Sequence, residues 1–163
     1  MTLAALMRMI SEFMSARNVR YFTIGGVGVS LWGEPRTTKD LDLVLGLQRR
    51  EVPRLVAGLN KLGFRITQSL QRKLAEGRII KLPIGMTELD LKLCIGAHDS
   101  EALDRARTAK FDDFSLQVAT PEDLVLYKLQ TWCEQDKADI QNLLKNARAL
   151  DRGYVEGHLA PVE

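Results

Sequence analysis

Tyr21 to Leu45, YFTIGGVGVSLWGEPRTTKDLDLVL, carries the strongest structural signals in the chain. Its first run, Tyr21-Phe22-Thr23-Ile24, is aromatic and β-branched and reads as a strand. Gly25 and Gly26 end that strand, and Val27 to Trp32 is long enough for one or two helical turns. The loop from Gly33 through Pro35, Arg36, Thr37 and Thr38 to Lys39 has turn chemistry. It leads into a second strand, Asp40 to Leu45, in which carboxylates alternate with leucines. One element offers backbone that phosphate can approach, and the other offers paired acids.

Working outward, Leu3, Leu6, Met7, Ile10, Phe13 and Met14 recur at helical spacing, so an amphipathic helix closing near Asn18 precedes the strand. After it, Glu51 to Leu62 reads as a helix stopped by Gly63. Phe64 to Thr67 and Arg78 to Leu82 read as short strands, and Thr87 to Ile95 alternates at strand period. Asp99-Ser100 can cap a helix reaching about Thr108. Leu116 to Ala119 reads as a last strand. Thr120-Pro121-Glu122-Asp123 is a helix start, with a capping hydroxyl, proline in the first turn and acids at the positive end of the dipole. That helix should run to about Cys133. Another, from about Gln135 to Leu150, should turn Ile140, Leu143, Leu144 and Ala147 inward.

The 163 residues suit a single domain, with a core at 20–119, helices at 120–150 and a loose tail at 151–163. A hydrophobic content of 45% and a charged content of 27% are those of a globular chain, and a formal charge of +2 selects no partner class. No apolar run approaches a membrane span, and the start lacks the order of a signal peptide, so no membrane contact and a cytoplasmic location are expected. Cys94 and Cys133 have no zinc spacing and are expected reduced in the core.

Residues two apart on a strand share a face, so Asp40 and Asp42 present carboxylates side by side, with Cα atoms about 7 Å apart. That arrangement suits a divalent ion whose shell a phosphorylated substrate completes; two solvated acids on an edge strand would read the same way. Free N–H groups where a strand enters a helix form an anion site, and glycine admits phosphate there. The spacing fits neither GxGxxG nor the P-loop. Asp90, with Glu88 on its face, would join Asp40 and Asp42 if the two strands were neighbours. Three carboxylates could then hold two metals for an in-line displacement; a surface pair between Glu88 and Lys92 is the alternative. Asp136 and Asp139 read as surface acids near Lys137. His98 has no nucleophile at a recognisable spacing. Arg49, Arg50, Arg54, Arg72 and Lys73 could touch an RNA backbone.

Taken together, Gly25-Gly26, the Gly33-Glu34-Pro35-Arg36-Thr37-Thr38 loop, Asp40-Leu41-Asp42 and the later Glu88-Leu89-Asp90 resemble the nucleotidyltransferase superfamily of the DNA polymerase beta fold. The closest resemblance is to minimal nucleotidyltransferases of the abortive-infection toxin branch (AbiEii-like). It continues at Thr120 to Leu129 and at Asp136 to Ile140. The resemblance implies an α/β fold, a small mixed sheet flanked by helices with the C-terminal helices packed on it. It implies transfer of a nucleoside monophosphate from an NTP, with two Mg2+ ions, to an RNA end such as that of tRNA or to a protein side chain, and a cognate antitoxin as partner. Antibiotic-type small-molecule transfer, or a catalytically inactive nucleotide-binding module, are the rivals. By the same resemblance Gly25 and Gly26 lie under the phosphates, Asp40 and Asp42 bind metal, and Asp90 completes the metal site or acts as general base. Lys128 neutralises triphosphate charge, Asp139 supports the site, and Arg36 and Thr38 belong to the loop leading into the acids. Many relatives carry Gly-Ser where this chain has Gly25-Gly26, and many toxin-branch members are longer.

Overall fold

The computed structural model describes residues 1–147 and 150–159. In chain order the elements are α1 (Leu3–Ala16), β1 (Tyr21–Ile24), α2 (Gly25–Trp32), β2 (Asp40–Leu45), α3 (Val52–Lys61), α4 (Gln68–Ala75), β3 (Ile80–Ile84), β4 (Thr87–Leu93), α5 (Ala97–Arg105), β5 (Arg107–Lys110), β6 (Ser115–Val118), α6 (Pro121–Thr131), α7 (Glu134–Asn146) and α8 (Arg152–Leu159). The strands form one mixed sheet in the order β3-β4-β2-β1-β6-β5.

β1 and β2 pair antiparallel, with Phe22 opposite Val44 and Ile24 opposite Asp42. β4 runs parallel to β2, and β6 parallel to β1. Strand alternation then divides the residues between two faces. Leu41, Leu43, Leu45, Leu89, Leu91 and Leu93 turn to one side, into a core with Leu6 and Ile10 of α1, Leu55 and Leu59 of α3 and Leu74 of α4. Phe22 and Val44 turn to the other, against Val29 of α2, Leu124 and Val125 of α6 and Leu143 of α7. Asp40, Asp42, Glu88 and Asp90 share this second face by strand period. Each buried leucine contributes about 1.5–3 kcal/mol, and a one-residue slip of β4 would put Asp90 among them. The leucine face therefore fixes the register that lines up the acids.

Several expectations are corrected. Phe64 to Thr67 forms no strand; the side-chain amide of Asn60 accepts from the Ile66 N–H at 2.8 Å and donates to the Ile66 carbonyl at 3.2 Å, taking the place of a ladder. α4 follows instead, capped by the Thr67 hydroxyl, and buries only Leu74, so its periodicity is faint in the sequence. The helix expected to reach Thr108 stops at Arg105, because Arg107 to Lys110 pairs as an edge strand with β6. Cys133 is exposed and Cys94 half-buried, both as free thiols, so neither belongs to the deep core.

The segment expected to be a loose tail carries α8, held by buried Val155 and by the Tyr154 hydroxyl, which donates to Asp123 at 2.9 Å. Leu144 of α7, expected inward, is exposed. The last residues of that tail, 160–163, and residues 148–149 of the expected helix lie outside the described residues.

Candidate active site

The parallel register of β2 and β4 sets Asp40 opposite Glu88 and Asp42 opposite Asp90. The condition on which Asp90 would join the first pair, adjacent strands, is met. Burial has unequal consequences for these acids. Asp42 is pushed up to about 6, first by desolvation and then by the charges of Asp90 and Asp40. Asp90 is only 7% exposed, and burial raises it despite the Lys81 ammonium 2.6 Å from its Oδ2. Asp40 Oδ1 and Asp90 Oδ1 are both buried without a hydrogen-bond partner. Buried carboxylate oxygens in that condition are costly unless a ligand completes them.

Gly25 and Gly26 open α2, where the first N–H groups have no intrahelical partner. Gly25 has φ +66°, and a Cβ added there would lie 2.1 Å from Asp42 Oδ2. At Gly26 a Cβ would lie 2.9 Å from the Arg36 guanidinium. Glycine at both positions lets the helix start close onto an acid and a cation together. The Thr38 hydroxyl accepts from the Asp40 N–H at 3.4 Å, tying the loop to the head of β2.

Arg36 donates from Nε and Nη2 to the two carboxylate oxygens of Asp139, at 2.7 and 2.9 Å. Lys128 of α6 reaches Asp139 at 2.9 Å and Asp136 at 3.0 Å. This network corrects the reading of Asp136 and Asp139 as surface acids: they are 5% and 1% exposed, and Lys137 pairs with Glu134 instead. Burial alone would raise Asp139; Arg36 and Lys128 outweigh it and hold it below the usual carboxylate range. Asp136 is lowered likewise, against burial, by the Thr131 hydroxyl, the Cys133 N–H and Lys128. Lys128 thus stands between α6 and α7 with its charge already paired, near enough to Asp42 to lower its pKa slightly.

Among the described residues no group of three or more His, Cys, Asp or Glu side chains is assembled in a metal-holding arrangement. The residues nonetheless suit a hard cation: oxygen donors only, two of them buried and unpartnered, beside a glycine turn that leaves room for phosphate.

Sequence reasoning missed Lys81. It lies on the edge strand β3 directly opposite Asp90, and its ammonium reaches Glu88 at 3.0 Å as well. Its only sequence signal is that a lysine alternates with Ile80 and Leu82. The alternative pair of Glu88 with Lys92 does not form, since Lys92 pairs with Asp99 at 3.3 Å. His98 contacts Asp123 at 3.2 Å, in a network with Arg105 and Tyr154 that joins α5, α6 and α8. Arg49 and Arg72 line a cleft with Val52, Pro53 and Ala75, in the α3–α4 layer over the leucine face. A cleft of about 560 Å³ beside Asn18, Arg20 and Tyr21 lies at the opposite end of β1 from the Ile24–Asp42 pair.

No protein-family model matches this chain, and no curated protein matches it. Solved structures match its fold. ANT(2")-Ia in complex with adenylyl-2"-tobramycin superposes with a TM-score of 0.62 at 17% identity, covering 95% of this chain and 92% of that one. The lincosamide antibiotic adenylyltransferase LnuA, lincomycin-bound, gives 0.58 at 16%, covering 83% and 92%. An antigenic nucleotidyltransferase-like protein from Paracoccidioides brasiliensis gives 0.61 at 18%, covering 87% and 73%. The chain has the polymerase-beta-type nucleotidyltransferase fold: a mixed sheet flanked by helices, with the C-terminal helices packed on it.

Proposed function

We propose that this protein is a nucleotidyltransferase that moves a nucleoside monophosphate from an NTP to an acceptor hydroxyl and releases pyrophosphate. The observation that carries the reading is the juxtaposition of Asp40 and Asp42 with Asp90 across a parallel strand pair, with the Gly25 turn closed onto Asp42. Asp40, Asp42 and Asp90 are the residues that would hold Mg2+. The bound ion would supply positive charge to the triphosphate and to the developing leaving group. Gly25 and Gly26 present backbone N–H groups to the phosphates. Arg36 is held by Asp139 beside Gly26, in position to orient a phosphate oxygen. Lys128 lends long-range positive potential while Asp136 and Asp139 fix its position. Thr38 steadies the backbone of Asp40.

Two acceptor classes follow. A toxin of a toxin–antitoxin or phage-defence system would modify an RNA end or a protein side chain and would be held by a cognate antitoxin; the Gly25-Gly26 to Asp42 motif supports that reading. A small-molecule acceptor is supported by near full-length likeness to two antibiotic-modifying enzymes. The test is incubation with labelled NTPs and Mg2+ against total RNA, cell protein and a panel of hydroxyl-bearing antibiotics. Label on RNA or protein supports the toxin, and label on a drug supports the resistance enzyme. No transfer to any of them, with wild type and Asp40→Ala alike, sinks the enzymatic reading.

A further inference from the structure

Among the described residues, Lys81 is the only cation ion-paired to a carboxylate of β2 or β4 other than through distant charge. Its place is fixed by the ladder: β3 and β4 pair antiparallel with Lys81 directly opposite Asp90, so both side chains rise from the same face. The Lys81 ammonium lies 2.6 Å from Asp90 Oδ2 and 3.0 Å from Glu88 Oε1. The charge is unevenly shared. Lys81 shares its single charge between Glu88 and one oxygen of Asp90, while Asp40 and Asp42 have no ion pair, and Asp40 Oδ1 and Asp90 Oδ1 remain buried and unpartnered.

We propose that Lys81 is a resident cation of this cluster, standing where a second divalent ion would otherwise sit and confining divalent-ion binding in the nucleotide-free protein to the Asp40–Asp42 end. A Mg2+ ion requires oxygens at about 2.0–2.1 Å in near-octahedral geometry. Bound to Asp90 Oδ2 and Glu88, it would lie within a few Å of an ammonium that already uses those oxygens. Like charges that close repel strongly in a partly dehydrated site. The orphan oxygen of Asp40, which has no ion pair, faces no such competitor. The edge position of β3 leaves the lysine stem in solvent, its side chain 62% exposed, so the charge can be removed without opening the core.

This inference rests on the metal-binding reading given above, and a count of bound ions separates the two. Nucleotide-free protein is titrated with Mn2+ and the free ion is followed by electron paramagnetic resonance, with melting temperature as a second readout. Wild type is expected to bind one ion per chain. Lys81→Met should gain a second ion or bind about tenfold more tightly, with a larger rise in melting temperature on adding Mn2+. Lys81→Arg, which keeps the charge, should behave as wild type. Wild type binding two ions, or Lys81→Met binding as wild type while Asp42→Asn loses the ion, overturns the role of Lys81 and leaves the metal site standing. Absence of Mn2+ binding in wild type and Lys81→Met alike overturns both.

Discussion

Two groups of buried acids lie on the same side of the sheet and are handled in opposite ways. On α6 and α7, Asp123, Asp136 and Asp139 are each met by cations or donors and titrate below the usual range. On β2 and β4, Asp42 is pushed up to about 6, and Asp40 and Asp90 keep unpartnered oxygens. The first group joins helices; the second is left incompletely paired. The two differ in capacity, since a fully paired carboxylate has nothing left to offer a substrate.

The incompletely paired group should respond most strongly to substitution. Asp42→Asn should reduce nucleotidyl transfer by roughly 10³-fold or more, measured as initial rate with labelled NTP. The same change should make the metal-free protein more stable by about 1–2 kcal/mol at neutral pH. The sign follows from the raised pKa: the folded state holds the proton more tightly than the unfolded one, so stability falls as pH rises from about 4 to about 6. The asparagine removes that loss. A urea midpoint for Asp42→Asn at or below that of wild type would contradict it.

The satisfied group should respond the other way. Asp139→Ala strips Arg36 and Lys128 of a shared partner that is 1% exposed. Stability should drop by about 3–5 kcal/mol, read by denaturant unfolding. If Asp139→Ala unfolds at the wild-type midpoint, the network is not what holds α7 to the Arg36 loop. Gly25→Ala comes next. A left-handed φ and a 2.1 Å approach to Asp42 Oδ2 should cost about 1–3 kcal/mol and displace that carboxylate, lowering Mn2+ affinity together with melting temperature. An alanine variant with wild-type Mn2+ affinity would show that close contact of Gly25 with Asp42 is dispensable.

Acid denaturation gives the mildest test. Because Asp123, Asp136 and Asp139 are depressed in the folded state, their contribution is complete above the unfolded carboxylate range near ~4 and is lost as pH falls below it. Melting temperature should therefore decline below about pH 4 in wild type, and less steeply in Asp136→Asn. Equal slopes would place the acid sensitivity elsewhere.

Elements with strong local signals are readable without the fold. The β1–Gly25–β2 stretch was legible because β-branching, a glycine break and period-2 alternation all agree. β4 and α6 were legible for similar reasons of alternation and capping. The pairing of acids along Asp40-Leu41-Asp42 follows from strand geometry alone. That β4 is the parallel neighbour of β2, which brings Asp90 to Asp42, is not written locally, because strand order depends on non-local burial of the leucine face. Lys81, Asp136 and Asp139 acquire their roles from partners 9, 8 and 103 residues distant in sequence. A charged residue on a strand or helix looks solvated until its partner is in place, and that partner is set by packing rather than by neighbouring sequence.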